Sequence, residues 1–529
     1  MGPCLGLTFS FLLLCLSQVT GLSVAKFFTP GMVLQEAPIR ANIYGTYEEG
    51  QVSLRIQCSD GDDEQVMADQ DISGAWVATL SPRVSGSRCN IEISDGVNEI
   101  VLDDVLFGDV WVCAGQSNMG WVLGGSENRT EEVEDAQTYT NIRFYHLDAV
   151  AASEPQDDLV VVRSGWEKWN DPKSEWPEGT EWEGGHWASP LHDISAICFL
   201  YARELSDHLG NKPFGLIASA YAGTRIDAWS PPEALAACDV EDYVDEKHDY
   251  NSNSYLYNSM IHPLQKMSIK GVVWYQGESS TTWNPEKYIC TLPSMIGSWR
   301  KQWSTNSGTN EDFPVGVVQL GPWKNPPSAR DDGSLFPLLR WHQTLDYGYL
   351  PNPLDGNMFL GLALDTYRTD EDGVGQIHPK NKQLPAKRLG IAGLNVAYGM
   401  KQFPTMGPFP VDVTVSEEGG NKLVAITYDE SRIQYNPHEN SGFFLCCGAG
   451  GSSTCRGDEL IPAENWNLIP LSDVVQSSDS SITVSVATCE GPSSIGYLWA
   501  ESPVTIVHGL PLYSTNRWGL PANPWWSEI

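Results

Sequence analysis

Basic side chains are scarce in this sequence. Its 529 residues include 32 Lys and Arg against 67 Asp and Glu, which gives a formal net charge of −35. A chain this acidic repels the phosphates of nucleic acids and the headgroups of anionic membranes, so we do not expect nucleic acid as a partner. The acidity fits high solubility or work in an acidic lumen, and charge alone does not separate the two.

Long apolar runs are missing beyond the N-terminus. Residues 5–16 form an apolar run with the length of a signal-peptide core, and small residues follow as far as Ser23. This run is too short to span a bilayer, and no later segment is long and apolar enough to do so. We therefore predict a signal peptide over residues 1–23, no membrane span, and a secreted or lysosomal protein. The sequon at Asn128 predicts N-glycosylation.

Cysteine pairs with the spacing of zinc-binding motifs are absent, although the chain contains 12 Cys. Ten of them lie beyond the predicted signal peptide, and an oxidising compartment would join them in disulfides. The candidate local pairs are Cys58 with Cys89, and pairs among Cys446, Cys447, Cys455 and Cys489. We expect no metal site and no cofactor.

Three patterns divide the mature chain. Residues 24–106 consist of short alternating stretches broken by Gly and Asp, which predicts an N-terminal β-sandwich-like domain. Residues 107–400 alternate apolar strands with helical periodicity, which is typical of an α/β domain with a parallel sheet flanked by helices. Residues 401–529 return to alternation and predict a C-terminal β-domain, with a hairpin formed by residues 412–416 and 422–428.

The predicted strands of the parallel sheet are nearly continuous in apolar residues, as strands buried on both faces are. They span residues 110–114, 215–220, 271–275, 315–320 and 359–365. Helices are predicted over residues 194–209, with Asp193 as N-cap and Gly210 as its end, and over residues 382–398.

Candidate catalytic residues follow these strands, where ligands of doubly wound folds bind. The first strand leads into a glycine turn that would lift the Ser117 hydroxyl out of the sheet edge. The last strand is followed by a loop carrying His378, which could act as the base that takes the Ser117 proton. The N–H groups of Ser117 and Gly223 and the side chain of Gln276 are suitable donors for an oxyanion.

These segments, in this order, resemble the sialate O-acetylesterase family of the SGNH hydrolase superfamily. The resemblance covers nearly the whole mature chain and rests on MVLQ at 32–35, GDVW at 108–111, GQSNM at 115–119, GLIAS at 215–219, IDAWS at 226–230, MIHPL at 260–264, WYQGE at 274–278, RWHQT at 340–344 and IHPKNK at 377–382. It implies that Ser117 is the nucleophile, His378 is the base, and Ser117, Gly223 and Gln276 form the oxyanion hole. The implied reaction is hydrolysis of O-acetyl esters of sialic acids, most often at the 9-position, through an acetyl-enzyme.

The third member of a catalytic triad stays open. The superfamily often places an Asp three residues before its His, but Gly375 occupies that position here. The candidate acids are Asp365, Glu278, Asp370 and Asp372. A Ser/His dyad whose imidazole is oriented by a backbone carbonyl is an equally good hypothesis, because the orienting group serves to fix the tautomer.

The carboxylate of a sialic acid calls for a local cation. Arg225 is the first candidate, and Arg340 and Arg368 are alternatives, because all three lie in or near segments at the sheet edge. A cluster of tryptophans could stack on sugars or pack a loop, and its members are Trp166, Trp169, Trp176, Trp182 and Trp187. Two other functions remain open: an acetylesterase of neutral sugars such as acetylated xylan, and a carbohydrate-binding protein without catalysis.

Overall fold

A computed structural model describes residues 21–529, apart from 161–166, 169–193, 324–334, 367–376, 439, 448–454, 456–465, 487, 490–492 and 504–508. The five tryptophans of the predicted cluster, Arg368, Asp370, Asp372 and most of the predicted signal peptide lie outside the described residues. None of the helices within those ranges combines the length and apolarity needed to cross a bilayer.

The N-terminal region forms two sheets from short strands. One sheet has the order β1-β3-β7-β6, and in the other β8 pairs with β4 and β9 while β2 runs parallel to β9. The strands are β1 (Ser23–Val24), β2 (Val33–Gln35), β3 (Asn42–Thr46), β4 (Ser53–Cys58), β5 (Glu64–Met67), β6 (Asp69–Gln70), β7 (Ala75–Thr79), β8 (Arg88–Ser94) and β9 (Glu99–Gly115). Strand β9 has 17 residues, and the predicted domain boundary at residues 106–107 falls inside it.

The same strand β9 continues into the central sheet. The remaining strands of this sheet are β10 (Ile142–His146), β11 (Glu167–Lys168), β12 (Phe214–Ala220), β13 (Gly271–Tyr275), β14 (Val315–Gln319) and β15 (Met358–Leu362). Their order is β11-β10-β12-β9-β13-β14-β15, and every neighbouring pair is parallel except β10 with the edge strand β11. Because the chain builds first on one side of β9 and then on the other, a crevice is expected at the carboxyl ends of β9, β12 and β13.

Helices connect the strands of the central sheet. They are α1 (Ser117–Gly120), α2 (Arg129–Ala136), α3 (Ala196–His208), α4 (Ile226–Trp229), α5 (Pro232–Ala237), α6 (Tyr288–Ser307), α7 (Phe336–His342) and α8 (Gln383–Val396). Helix α3 begins later than predicted, because the Ser195 Oγ accepts the Cys198 N–H at 3.2 Å and caps it. The predicted second helix is confirmed as α8, shortened at both ends.

The C-terminal region is built from antiparallel strands, and the predicted hairpin is formed by its first two. The strands are β16 (Pro410–Glu418), β17 (Asn421–Tyr428), β18 (Ile433–Tyr435), β19 (Phe443–Cys447), β20 (Trp466–Leu468), β21 (Val474–Gln476), β22 (Ser481–Val486), β23 (Ser493–Tyr497), β24 (Leu512–Ser514) and β25 (Trp525–Glu528). They form sheets in the orders β16-β17-β22-β21, β18-β24 and β20-β19-β23-β25.

The hydrophobic core crosses the predicted first boundary. One continuous cluster of buried residues runs from Ala25 in the N-terminal region to Phe403 after α8, whereas the C-terminal sheets bury a separate cluster around Ile426, Ile482 and Tyr497. Five disulfides join Cys58–Cys89, Cys113–Cys198, Cys238–Cys290, Cys446–Cys455 and Cys447–Cys489. The predicted local pairs are thereby confirmed, and Cys113–Cys198 additionally fastens β9 to α3.

Candidate active site

A tight turn at the end of β9 presents Ser117. Gly115 has a φ of +146°, and a Cβ at this position would lie 2.1 Å from the Tyr275 carbonyl oxygen, so the turn requires glycine. The Gln116 N–H donates to the same carbonyl at 3.0 Å, and Gln116 Oε1 accepts the Gly277 N–H at 3.4 Å. Ser117 then opens α1 and is partly exposed at the carboxyl edge of the sheet.

His378 lies directly against Ser117. Its Nε2 atom is 2.8 Å from Ser117 Oγ, although the two residues are 261 positions apart in the chain. The Trp121 ring stacks on the imidazole, with ring centroids 5.6 Å apart and an interplanar angle of 20°. A neutral imidazole at this distance can accept the hydroxyl proton and so activate the serine. The structure brings together the two residues that the sequence places at opposite ends of the α/β region.

The loop after β12 brings backbone donors to the same edge. This loop is joined to the turn of Gly115 and Ser117, because the Tyr221 N–H donates to the Gly115 carbonyl at 3.0 Å. Gly223 is exposed with a φ of +73°, and Asn251 Nδ2 donates to its carbonyl at 3.0 Å. Within the described residues, neither the Gly223 N–H nor the Ser117 N–H donates to a protein acceptor. Both remain available to a substrate oxygen.

Gln276 is directed away from that edge. Its Nε2 donates to the Thr224 carbonyl and to Ser280 Oγ, both at 3.0 Å, and its Oε1 accepts from the Tyr288 hydroxyl at 3.2 Å. The side chain is fully buried, and an amide nitrogen carries only two hydrogens, so both donors are used inside the protein. This corrects the expectation that Gln276 donates to an oxyanion: it supports the loop that carries Gly223.

The two described candidate acids are engaged elsewhere. The Asp365 carboxylate accepts two bonds from Arg388, at 2.6 and 2.7 Å, and one from the Tyr513 hydroxyl at 3.1 Å. Burial raises the pKa of Asp365, but Arg388 and Tyr513 bring it below its usual value. Glu278 accepts from Asn118 Nδ2, and burial raises its pKa. Neither carboxylate forms a hydrogen bond with His378.

Arg225 forms no salt bridge among the described residues, although it interacts electrostatically with the nearby carboxylates of Asp227 and Asp245. Its guanidinium carbon lies 3.8 Å from the centroid of the Trp283 ring and 5.2 Å from that of Tyr243, and its Nη1 has no hydrogen-bond acceptor within the same ranges. Its backbone N–H donates to Asn251 Oδ1 at 3.0 Å, which ties it to the loop of Gly223. The aromatic faces hold this cation beside the loop of Gly223.

Arg340 has a structural role instead. It is fully buried, and its guanidinium donates to the backbone carbonyls of Leu320, Gly321, Ala500 and Glu501 at 2.7 to 2.9 Å. Because these bonds occupy the planar donor fork, Arg340 cannot also hold a substrate carboxylate. The alternative that named it as a substrate-binding residue is therefore wrong.

Several residues of the site were not assigned a role from the sequence. Trp121 and Trp283 supply ring faces to His378 and Arg225, and Asn251 links Gly223 to Arg225. Trp121 follows the GQSNM segment by two positions, which is the one signal that could have suggested it. No group of three or more His, Cys, Asp or Glu side chains in the described parts of the chain is arranged to hold a metal ion.

Comparisons with known proteins agree on one family. A family model described as carbohydrate esterase, sialic acid-specific acetylesterase, matches residues 107–330, and one described as sialate O-acetylesterase C-terminal domain matches residues 413–529. Sialate O-acetylesterase of Homo sapiens is 34% identical over 518 residues, covering 95% of this chain and 92% of that protein. The protein of the same name from Rattus norvegicus is 31% identical over 563 residues, covering 98% and 97%.

A solved structure shares the fold. The crystal structure of a carbohydrate acetylesterase from Xanthomonas citri superposes with a TM-score of 0.72, covering 96% of this chain and 99% of that chain at 23% sequence identity. At this identity the likeness concerns the architecture, and it extends over the N-terminal, central and C-terminal regions together.

Proposed function

The chain belongs to the sialate O-acetylesterase family, and from this premise we propose that it hydrolyses O-acetyl esters of sialic acids with Ser117 as nucleophile and His378 as general base. The observation that carries the proposal is the 2.8 Å contact between Ser117 Oγ and His378 Nε2. The order of the parallel strands, with Ser117 after β9 and His378 after β15, supports an SGNH-hydrolase arrangement of the central domain.

The proposed reaction has two steps. His378 Nε2 takes the hydroxyl proton while Ser117 Oγ attacks the acetyl carbonyl carbon, and the N–H groups of Ser117 and Gly223 receive the oxyanion. The proton then passes to the departing sugar oxygen as the acetyl-enzyme forms. Water attacks the acetyl-enzyme, His378 takes a proton from this water, and that proton returns to Ser117 as acetate leaves. Ser117→Ala and His378→Ala should each abolish turnover.

We propose that neither Asp365 nor Glu278 completes a catalytic triad. Asp365 forms a bidentate pair with Arg388, and Glu278 accepts a hydrogen bond from Asn118. These contacts give each carboxylate a structural role. In serine proteases, changing the triad Asp to Asn lowers kcat by about 10⁴-fold. Asp365→Asn and Glu278→Gln should therefore retain far more activity than Ser117→Ala. A Glu278→Gln enzyme as inactive as Ser117→Ala would make Glu278 the orienting acid.

We further propose that Arg225 binds the carboxylate of the sialic acid. Its guanidinium forms no salt bridge among the described residues and lies against Trp283 beside the loop of Gly223. A planar guanidinium fork suits a carboxylate, and the aromatic faces keep the fork in place. Arg225→Glu should lower kcat/KM for an acetylated sialic acid much more than for a neutral aryl acetate.

The decisive experiment measures acetate release by the purified protein. We expect release from a 9-O-acetylated sialoside, little release from acetylated xylan, and none from either with Ser117→Ala. Arg517→Glu is the matched control for Arg225→Glu, because Arg517 is exposed and stacks on Trp518 at 4.5 Å. Equal losses on the sialoside and the aryl acetate would refute the role of Arg225. Preference for acetylated xylan would favour a neutral-sugar esterase, and failure to react with a fluorophosphonate would favour a binding protein.

We propose that the protein works in an oxidising compartment, either secreted or in the lysosome. Five disulfides support this location, because such bonds persist outside the cytosol. N-terminal sequencing of the secreted protein should give a start near Ser23. A retained N-terminus would contradict the proposed signal peptide.

A further inference from the structure

A buried amide stands directly behind the nucleophile. Asn118, the residue after Ser117, is buried, and its Nδ2 donates to Glu278 Oε1 and, at 2.9 Å, to the Ile377 carbonyl. Its Oδ1 accepts from Lys382 Nζ at 2.5 Å. One side chain thereby joins the start of α1, the turn after β13 and the loop that leads into α8. These are the three segments from which the active site is assembled.

The orientation of this amide is fixed by charge. Glu278 presents acceptors to the nitrogen, and the Lys382 ammonium presents donors to the oxygen. Rotating the amide by 180° would place its oxygen against the Glu278 carboxylate and its N–H groups against the Lys382 ammonium, so both contacts would become repulsive. Glu278 and Lys382 are themselves buried, which strengthens these interactions relative to water.

The remaining hydrogen of the amide is aimed at the loop of the base. With one N–H on Glu278, the other N–H donates to the carbonyl of Ile377, the residue immediately before His378. The Lys382 ammonium lies 5.5 Å from the centroid of the Trp121 ring, and the same ring stacks on the imidazole of His378. The backbone and the ring of His378 are therefore both supported from the same cluster.

We propose that Asn118 is a positioning residue that holds the His378 imidazole against Ser117, with Glu278 and Lys382 as its anchors. This inference rests on the proposed function for the roles of Ser117 and His378. In this proposal Glu278 is not a triad acid. Its carboxylate orients the Asn118 amide, and the Asn118 amide orients the loop that carries His378. Misplacement of a catalytic group by about 1 Å can lower a rate by about 10²-fold, so this support matters for turnover.

The test is Asn118→Ala, assayed with a neutral aryl acetate and with a fluorophosphonate. We expect kcat to fall by roughly 10 to 100-fold with little change in KM, because a displaced base slows chemistry without touching the bound substrate. The rate of Ser117 labelling by the fluorophosphonate should fall by the same factor. Two outcomes would overturn the proposal: a kcat near that of the wild type, or a reduced kcat with an unchanged labelling rate.

Gln383→Ala is the matched control. The Gln383 amide nitrogen also donates to one backbone carbonyl, that of Glu127 at 2.6 Å, and to one carboxylate, that of Glu132 at 3.1 Å. It tethers the same segment but not to the nucleophile helix, so its loss should alter stability without altering the labelling rate. An equal fall in labelling for both variants would show that general loosening of the segment, and not Asn118, is responsible.

Two anchor variants keep the test decisive if Asn118→Ala fails to fold. Glu278→Gln removes a charge but preserves an acceptor oxygen for the amide, whereas Lys382→Met removes the group that fixes the amide oxygen. Lys382→Met should therefore lower the labelling rate more than Glu278→Gln does. Wild-type activity in Lys382→Met would contradict the anchoring role. A wild-type enzyme that is labelled at Ser117 but releases no acetate from sialosides would refute the proposed substrate and leave this inference standing.

Discussion

A buried carboxyl beside Arg225 makes the stability of the protein depend on pH. Asp227 is 2% exposed, and burial raises its pKa to about 6, even though Arg225 and Lys287 act in the opposite direction. The folded protein therefore binds more protons than the unfolded chain between about pH 4 and pH 6. Its stability falls as the pH rises through this range, because the carboxylate that forms is poorly solvated. We predict that Asp227→Asn stabilises the protein at neutral pH.

The magnitude follows from the difference between the two pKa values. The difference between a folded pKa of about 6 and an unfolded pKa near 3.9 corresponds to about 3 kcal/mol. Asp227→Asn removes the charge while keeping the shape of the side chain, so the free energy of unfolding should rise by up to about 3 kcal/mol above pH 7. At pH 4 the carboxyl is neutral in the folded protein and about half neutral in the unfolded chain, so the substitution should have only a small effect.

Thermal unfolding of both proteins at pH 4 and at pH 7.5 measures this difference. The Tm of Asp227→Asn should exceed that of the wild type by several degrees at pH 7.5 and nearly match it at pH 4. Asp245→Asn is the opposing control. Hydrogen bonds from the His248 and Lys247 N–H groups lower the pKa of Asp245, so removing this carboxylate should destabilise the protein more at pH 7.5 than at pH 4. A lower Tm for Asp227→Asn at pH 7.5, or equal differences at both pH values, would refute the reasoning.

Three further predictions concern the turn, the supporting amide and the sequon. Gly115→Ala should abolish fluorophosphonate labelling, because its Cβ would overlap the Tyr275 carbonyl; labelling at the wild-type rate would contradict the described turn. Gln276→Ala should lower both Tm and kcat. An unchanged Tm with a loss of about 10² to 10³-fold in kcat would instead indicate that Gln276 donates to the oxyanion. Asn128 is exposed, so secreted protein should lose mass on treatment with an N-glycosidase and Asn128→Gln should not.

Five strands of the central sheet could be predicted because burial on both faces leaves a continuous apolar run, whereas β10 and β11 were not predicted. The predicted strand over residues 271–275 coincides with β13, and that over residues 315–320 exceeds β14 by one residue. The longest helix, α6, was not predicted: it contains Pro293, which usually ends a helix, and its buried face is recognisable only once the sheet is known. Disulfides between distant residues, such as Cys113–Cys198, likewise depend on the assembled fold.

Within the site, residue type was a better guide than detailed role. Ser117 and His378 could be proposed because both follow strands of one sheet, and the carboxyl ends of parallel strands share an edge. Gln276, Arg340 and Glu278 also lie near that edge, but their side chains turn inward to partners that no local pattern reveals. The direction of a side chain depends on packing between segments that are far apart in the sequence. The sequence therefore could not show that the Gln276 amide and the Arg340 guanidinium face inward and do not contact a substrate.

The single strand β9 has a consequence for how this enzyme can be taken apart. Its first residues pair with the N-terminal strand β8, and its last residue is Gly115, which forms the turn before Ser117. An excised fragment starting at residue 107 would sever the strand midway and expose the apolar face that residues 25–106 cover. Protein engineers who want a minimal catalyst should therefore keep residues 25–106, because the strand that ends in Gly115 begins among them and pairs with β8 there.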